Sequence, residues 1–217
     1  MIKRFKKVEG VALMPIRGQE RLAYALSDHT DTYDLIAWNE MGGYKGMTIS
    51  FYDLETGDIY TPYALKRNTV YTNPLYINGK YWFIRADYDD KTVTLISYTP
   101  KKGLEEVTVL DLEKVNLYNL QVMGIEPHIV SQSEKFVSYY PEKFSFPLQG
   151  NETVNFVAGG MVYIEAWVEE GWDEEHQCAG ENYRFYNKLL IKDFHGNTVS
   201  EDVGSIFFAP DGNYYIS

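Results

Sequence analysis

The chain has 217 residues, with 19 Tyr, 11 Phe and 4 Trp, and its 31 acidic against 20 basic side chains give a formal charge of −11. That aromatic load excludes a disordered polyelectrolyte, which lacks the apolar surface to offset ordering entropy. The acidity argues against nucleic acid or an anionic membrane as partner, because both call for cationic surface, and the length fits a single domain over 1–217.

In chain order, the first segment reads as one strand, Ile2–Val8, carrying Lys3, Arg4, Lys6 and Lys7. No apolar stretch follows, because Glu9, Gly10, Pro15 and Arg17 interrupt it, so it does not read as a secretory signal. With one cysteine, Cys178, no internal disulfide forms, and the expectation is a soluble cytoplasmic protein. A long insertion, Ser27–Gly46, then separates strand-like runs. Alternation of period two marks Met47–Tyr52, Tyr81–Arg85, Val93–Tyr98 and Val162–Val168 as strands. Asn78-Gly79 and Asp211-Gly212 read as hairpin turns. The one helix candidate is Asp111–Val122, a poor one because Val115, Asn116 and Tyr118 have low helix propensity. Asn151-Glu152-Thr153 fits a glycosylation sequon but, without a secretory signal, reads as a turn. A second insertion, Glu169–Tyr183, interrupts the last long strand pair. The class is all-β.

Five glycines recur at intervals of 46–47 residues: Gly10, Gly57, Gly103, Gly150 and Gly196. That period matches a four-stranded propeller blade of about 40–50 residues. Phe51–Tyr60 (FYDLETGDIY) and Phe207–Ile216 (FFAPDGNYYI) resemble the strand-turn-strand pieces of β-propeller repeat families. The resemblance extends along the chain only as hairpin motifs, points to no one family and implies no function. The expectation is a five-bladed propeller with blades near 11–64, 70–113, 117–150 and 152–203. The fifth blade is 204–217 joined to 1–9, so that pairing of the N- and C-terminal strands closes the ring. Four blades or a β-sandwich are the alternatives, because 112–160 shows too few clear strands.

No Walker A loop, dinucleotide glycine fingerprint, zincin motif or nucleophile elbow occurs, and no catalytic residue, metal site or cofactor is assigned. The spacing of Asp28, Asp31 and Asp34 differs from a calcium loop, and Asp87, Asp89 and Asp90 read as a hairpin tip. His29, His128, His176 and His195 stand beside no activated nucleophile, and Cys178 reads as an inert loop thiol. What remains is aromatic planes beside carboxylates in the two insertions. Trp38 and Tyr44 in the first, and Trp172, Asp173 and His176 in the second, are the candidate binding residues. Both insertions fall between the second and third strands of a blade, which directs them to one face of a ring. The expected function is a non-catalytic binding or interaction module for a small molecule, carbohydrate or protein. The alternative is a small glycoside hydrolase with acids in the central funnel.

Overall fold

A computed structural model describes residues 2–217. It is an all-β assembly of successive antiparallel sheets, each formed by strands adjacent in sequence. The first sheet comprises β1 (Met14–Pro15), β2 (Leu22–Leu26), β3 (Ile49–Asp53) and β4 (Ile59–Tyr60). The second comprises β5 (Thr69–Tyr71), β6 (Leu75–Ile77), β7 (Lys80–Asp87), β8 (Thr92–Thr99) and β9 (Gly103–Asp111), with β5 and β6 both pairing with β7. The third is β10 (Gln121–Met123), β11 (His128–Gln132), β12 (Lys135–Tyr140) and β13 (Phe144–Pro147). The fourth is β14 (Glu152–Ala158), β15 (Met161–Asp173), β16 (Cys178–Asp193) and β17 (Thr198–Val203). A terminal hairpin, β18 (Ile206–Phe208) and β19 (Tyr214–Ile216), makes the last. Among the described residues no helix is long and apolar enough to cross a membrane.

The aromatic side chains explain why these sheets stack. Phe51 of β3 packs against Phe83 of β7 at 5.7 Å and Tyr98 of β8 at 4.8 Å between ring centroids, joining the first sheet to the second. Phe136, Phe146, Phe156 and Val162 form a second core under the third and fourth sheets. β7 and β8 are buried along nearly their whole length, as strands covered on both faces must be, and so read as almost continuous apolar runs. β17, at the outer edge, exposes every side chain.

Polar contacts tie several of the sheets together. The Met47 amide donates to Thr69 O at 3.2 Å between the first and second. The Thr32 hydroxyl, in the first insertion, donates to Leu117 O at 2.6 Å where the chain enters the third. Gln132 exchanges two hydrogen bonds with the Val154 backbone between the third and fourth. Glu165 of β15 accepts from the Ser205 hydroxyl at 2.6 Å and from the Ile206 amide, and so holds the terminal hairpin. That hairpin in turn meets the first sheet: the Gly18 amide donates to Pro210 O at 3.0 Å, and Arg17 lies 5.1 Å over the Phe208 ring.

Three expectations are corrected. Ile2–Val8 is not a strand and does not pair with the C-terminal strand. Phe5 packs edge-on against Tyr52 and the Lys6 amide donates to Gly57 O, so the segment lies along the outer hairpin of the first sheet. An aromatic edge contact and the Lys6–Asp58 ion pair at 2.5 Å hold it there. The helix expected over 111–122 is a single 3-10 turn at Leu112–Lys114, and the one α-helix, α1 (Asp34–Glu40), lies inside the first insertion. Asp31 starts α1 by accepting from the Tyr33 and Asp34 amides, and Leu35 anchors it in the core. The glycine period holds in part. Gly57, Gly103 and Gly196 each lie at or near the turn between the last two strands of a sheet, whereas Gly150 lies between two sheets and Gly10 before the first strand. Sheet three turns instead through Pro141, and its short strands account for the weak signal over 112–160.

The contact of the terminal hairpin with the first sheet depends on two glycines without side chains. A Cβ on Gly212, where φ is +86°, would stand 2.5 Å from the Gly18 Cα. Gly212→Ala is therefore expected to lift the hairpin and cost about 1–3 kcal/mol. Hydrogen exchange over 205–217 checks this: exchange as slow as in the parent chain would show that the contact does not hold the hairpin.

Candidate functional site

The second insertion does not loop away from the sheet; it prolongs it. β15 and β16 continue as a two-stranded ribbon to a tip at 174–177. β14 pairs with β15 only as far as Ala166, and β17 pairs with β16 only from Lys188. Between these points the ribbon has a free edge on each side. Its sequence alternates, so one face carries Trp167 and Glu169 on β15 with Phe185 and Tyr183 on β16. A register shift between Glu170 and Trp172 brings Trp172 into the same row. Consecutive ring centroids lie 4.8 Å apart from Trp167 to Phe185, 6.3 Å from Phe185 to Tyr183 and 5.9 Å from Tyr183 to Trp172. Trp167, Phe185 and Trp172 are 47%, 59% and 40% exposed, too open for core residues of this size.

Acids border this row. Between Trp167 and Asn187 stand Glu169, Glu170, Asp173, Glu174, Glu175 and Glu181, against one cation, Arg184. The Tyr183 hydroxyl donates to Glu169, which raises the phenol pKa. Glu170 accepts from the Tyr186 hydroxyl at 2.8 Å and pairs with Arg184, and both contacts hold its pKa below the usual carboxylate range. Asp173 accepts from the backbone amide of His176 and pairs with its ring Nδ1 at 2.8 Å, which lowers its pKa as well. Glu170 and Asp173 thus keep their negative charge to lower pH than free carboxylates would.

Of the residues singled out by sequence, the ribbon brings Trp172, Asp173 and His176 together. Trp38 and Tyr44 are elsewhere. Trp38 is half-exposed on α1, 6.1 Å from the Tyr44 ring, while Tyr44 is only 4% exposed and belongs to the core, where burial raises its phenol pKa. Among the described residues no hydrogen bond, ion pair or ring contact joins the two insertions. Trp167, Tyr183 and Phe185 escaped the sequence reading, although the two-residue spacing of Trp167 from Glu169 and of Tyr183 from Phe185 was the available signal.

A second feature is a cleft of about 490 Å³ bounded by Met14, by 71–75, and by 119–122, with His29–Thr32 along one side. Asp31 is its only lining carboxylate, and that group is committed to the start of α1. A glycosidase needs two facing carboxylic acids. Among the described residues no group of three or more His, Cys, Asp or Glu side chains is placed to hold a metal ion. Compared with family models, with curated proteins and with solved structures, the chain gives no match.

Proposed function

We propose that this protein is a non-catalytic interaction module that uses the β15–β16 ribbon to grip an extended, basic segment of a partner protein. The exposed row of Trp167, Phe185, Tyr183 and Trp172 carries this reading. Aromatic faces attract Lys and Arg head groups, and the surrounding carboxylates add long-range attraction. The ribbon already holds one such contact, with the Arg184 guanidinium 5.5 Å over the Tyr186 ring. A neutral sugar is the weaker occupant of this face, because Glu169, in the row, and Asp173, at the tip, already accept hydrogen bonds from within the ribbon. The free edges offer unpaired backbone groups for an added strand.

The same reading takes the five sheets as blades of a propeller that displays the ribbon from its rim. The contacts of the first sheet with the second, of β7 with β10, of the third sheet with the fourth, and of the terminal hairpin with both the fourth and the first support it.

A synthetic extended peptide alternating Arg with Val is the probe. It is expected to bind in low salt, to weaken as salt rises, and to lose at least about tenfold in affinity to the double variant Trp167→Ala/Phe185→Ser. Because both side chains are exposed, that variant keeps its melting temperature. The contribution of Glu170 and Asp173 to the affinity persists on mild acidification and is lost only below the ordinary carboxylate range, following their lowered pKa values. Equal binding by the double variant, or equal binding of an alternating Glu-Val peptide, contradicts the proposal.

A further inference from the structure

The geometry points to a second binding site, distinct from the ribbon: the cleft beneath the first insertion takes a neutral ring-shaped polyol, a mono- or disaccharide. Three stretches distant in sequence build it, with Met14, Leu75 and Val122 as apolar floor. The segment His29–Thr32 is fixed across it, because the Thr32 hydroxyl donates to Leu117 O, 85 residues away. The volume of about 490 Å³ falls in the range for small-molecule sites.

The polar lining decides the chemistry. The Asn73 and Gln121 amides and the His29 ring line the cleft and make no side-chain hydrogen bond among the described residues. Amides supply a donor and an acceptor side by side, which matches neighbouring hydroxyl groups, each of which both donates and accepts. The apolar floor suits the C–H face of a sugar ring. Lys and Arg are absent from the lining, so a phosphate would find no counter-charge. The one tyrosine of the lining, Tyr71, is buried, only 3% exposed, and stacks with Tyr63. Apart from the His29 imidazole, no exposed ring is therefore offered to a nucleobase.

The test titrates the intact protein with neutral monosaccharides, disaccharides and cyclic polyols, read by calorimetry and by melting temperature. Nucleosides and sugar phosphates serve as comparison arms. At least one neutral sugar or polyol is expected to bind and to raise the melting point, since a ligand that binds only the folded state stabilises it. The double variant Asn73→Ala/Gln121→Ala is expected to weaken that binding at least about tenfold while the protein stays folded. Gln121→Glu, which keeps the shape and adds a charge, is a second variant expected to weaken it. Failure of every neutral sugar and polyol, unchanged affinity in both variants, or preference for a nucleoside or sugar phosphate overturns the inference. Peptide binding at the ribbon is read separately, so either site can fail alone.

Discussion

Glu152→Gln is expected to destabilise the fold by about 3–5 kcal/mol, the usual cost of removing one partner from a buried ion pair. Lys192 is 8% exposed, and its Nζ donates to both Glu152 oxygens at 2.9 and 3.0 Å, lying also 5.6 Å over the Phe146 ring. The pair links the first strand of the fourth sheet to the third and touches the neighbouring sheet. With Glu152 neutralised, the ammonium stays in a site that water barely reaches. Lys192→Met should cost less than Glu152→Gln, because Glu152 keeps the Gln149 amide as a donor. The combination Glu152→Leu/Lys192→Met is expected to recover most of the loss, since apolar replacement of a whole buried pair is often neutral. Urea unfolding of the three variants checks the order. Equal stability of Glu152→Gln and the parent chain would mean that the ammonium finds other solvation.

The second large effect is expected at the base of the first insertion. A Cβ on Gly46, where φ is +90°, would stand 1.8 Å from the Lys66 carbonyl oxygen. No side-chain rotation relieves a clash between two backbones, so Gly46→Ala is expected to cost about 3–5 kcal/mol. Next to it, Asn68 is 1% exposed with φ +53° and acts as a splice. Its Oδ1 accepts from the Tyr44 amide at 2.6 Å, its Nδ2 donates to Asp89 at 2.7 Å, and its own amide donates to Tyr44 O at 2.9 Å. Asn68→Ala removes both side-chain bonds and leaves the Tyr44 amide buried without a partner, at a cost of about 2–3 kcal/mol. Asn68→Asp keeps the acceptor but sets a charge beside Asp89, and should fall between the two. Thermal denaturation ranks the three; a mild Gly46→Ala would mean that the chain at 66–68 yields to the added methyl group.

Much of the architecture was legible in the chain itself. The all-β class follows from alternation, because a strand covered on one face must repeat every two residues, as Val162, Ile164 and Ala166 do. The boundaries near 11–64, 70–113, 117–150 and 152–203 fall around the four large sheets, since turns and the ends of apolar runs mark where pairing stops. The first insertion falls between the second and third strands of its sheet, whereas most of the second belongs to those strands and only 174–177 turns between them.

Other features rest on partners far apart in sequence. The helix α1 is short, and a buried Leu35, with Asp31 accepting from the Tyr33 and Asp34 amides that lead into it, outweighs weak local propensity. The resting place of the N-terminal segment depends on Tyr52 and Asp58, some fifty residues away, so its own charges could not reveal it. The site divides in the same way. Trp172, Asp173 and His176 stand out by composition, being close in sequence at one hairpin tip. The aromatic row does not, because Trp167 and Phe185 meet only once the register of β15 on β16 is set. Tyr44 shows the reverse: its place in a polar insertion suggests exposure, yet Asn68 folds that limb inward. Sequence alone determined the all-β class and most of the long strands, because periodicity and turn chemistry are local. Which aromatics are buried, which stand in a row and which stretches enclose a cleft was decided by tertiary packing, because those contacts depend on register between strands and on how one sheet stacks upon the next.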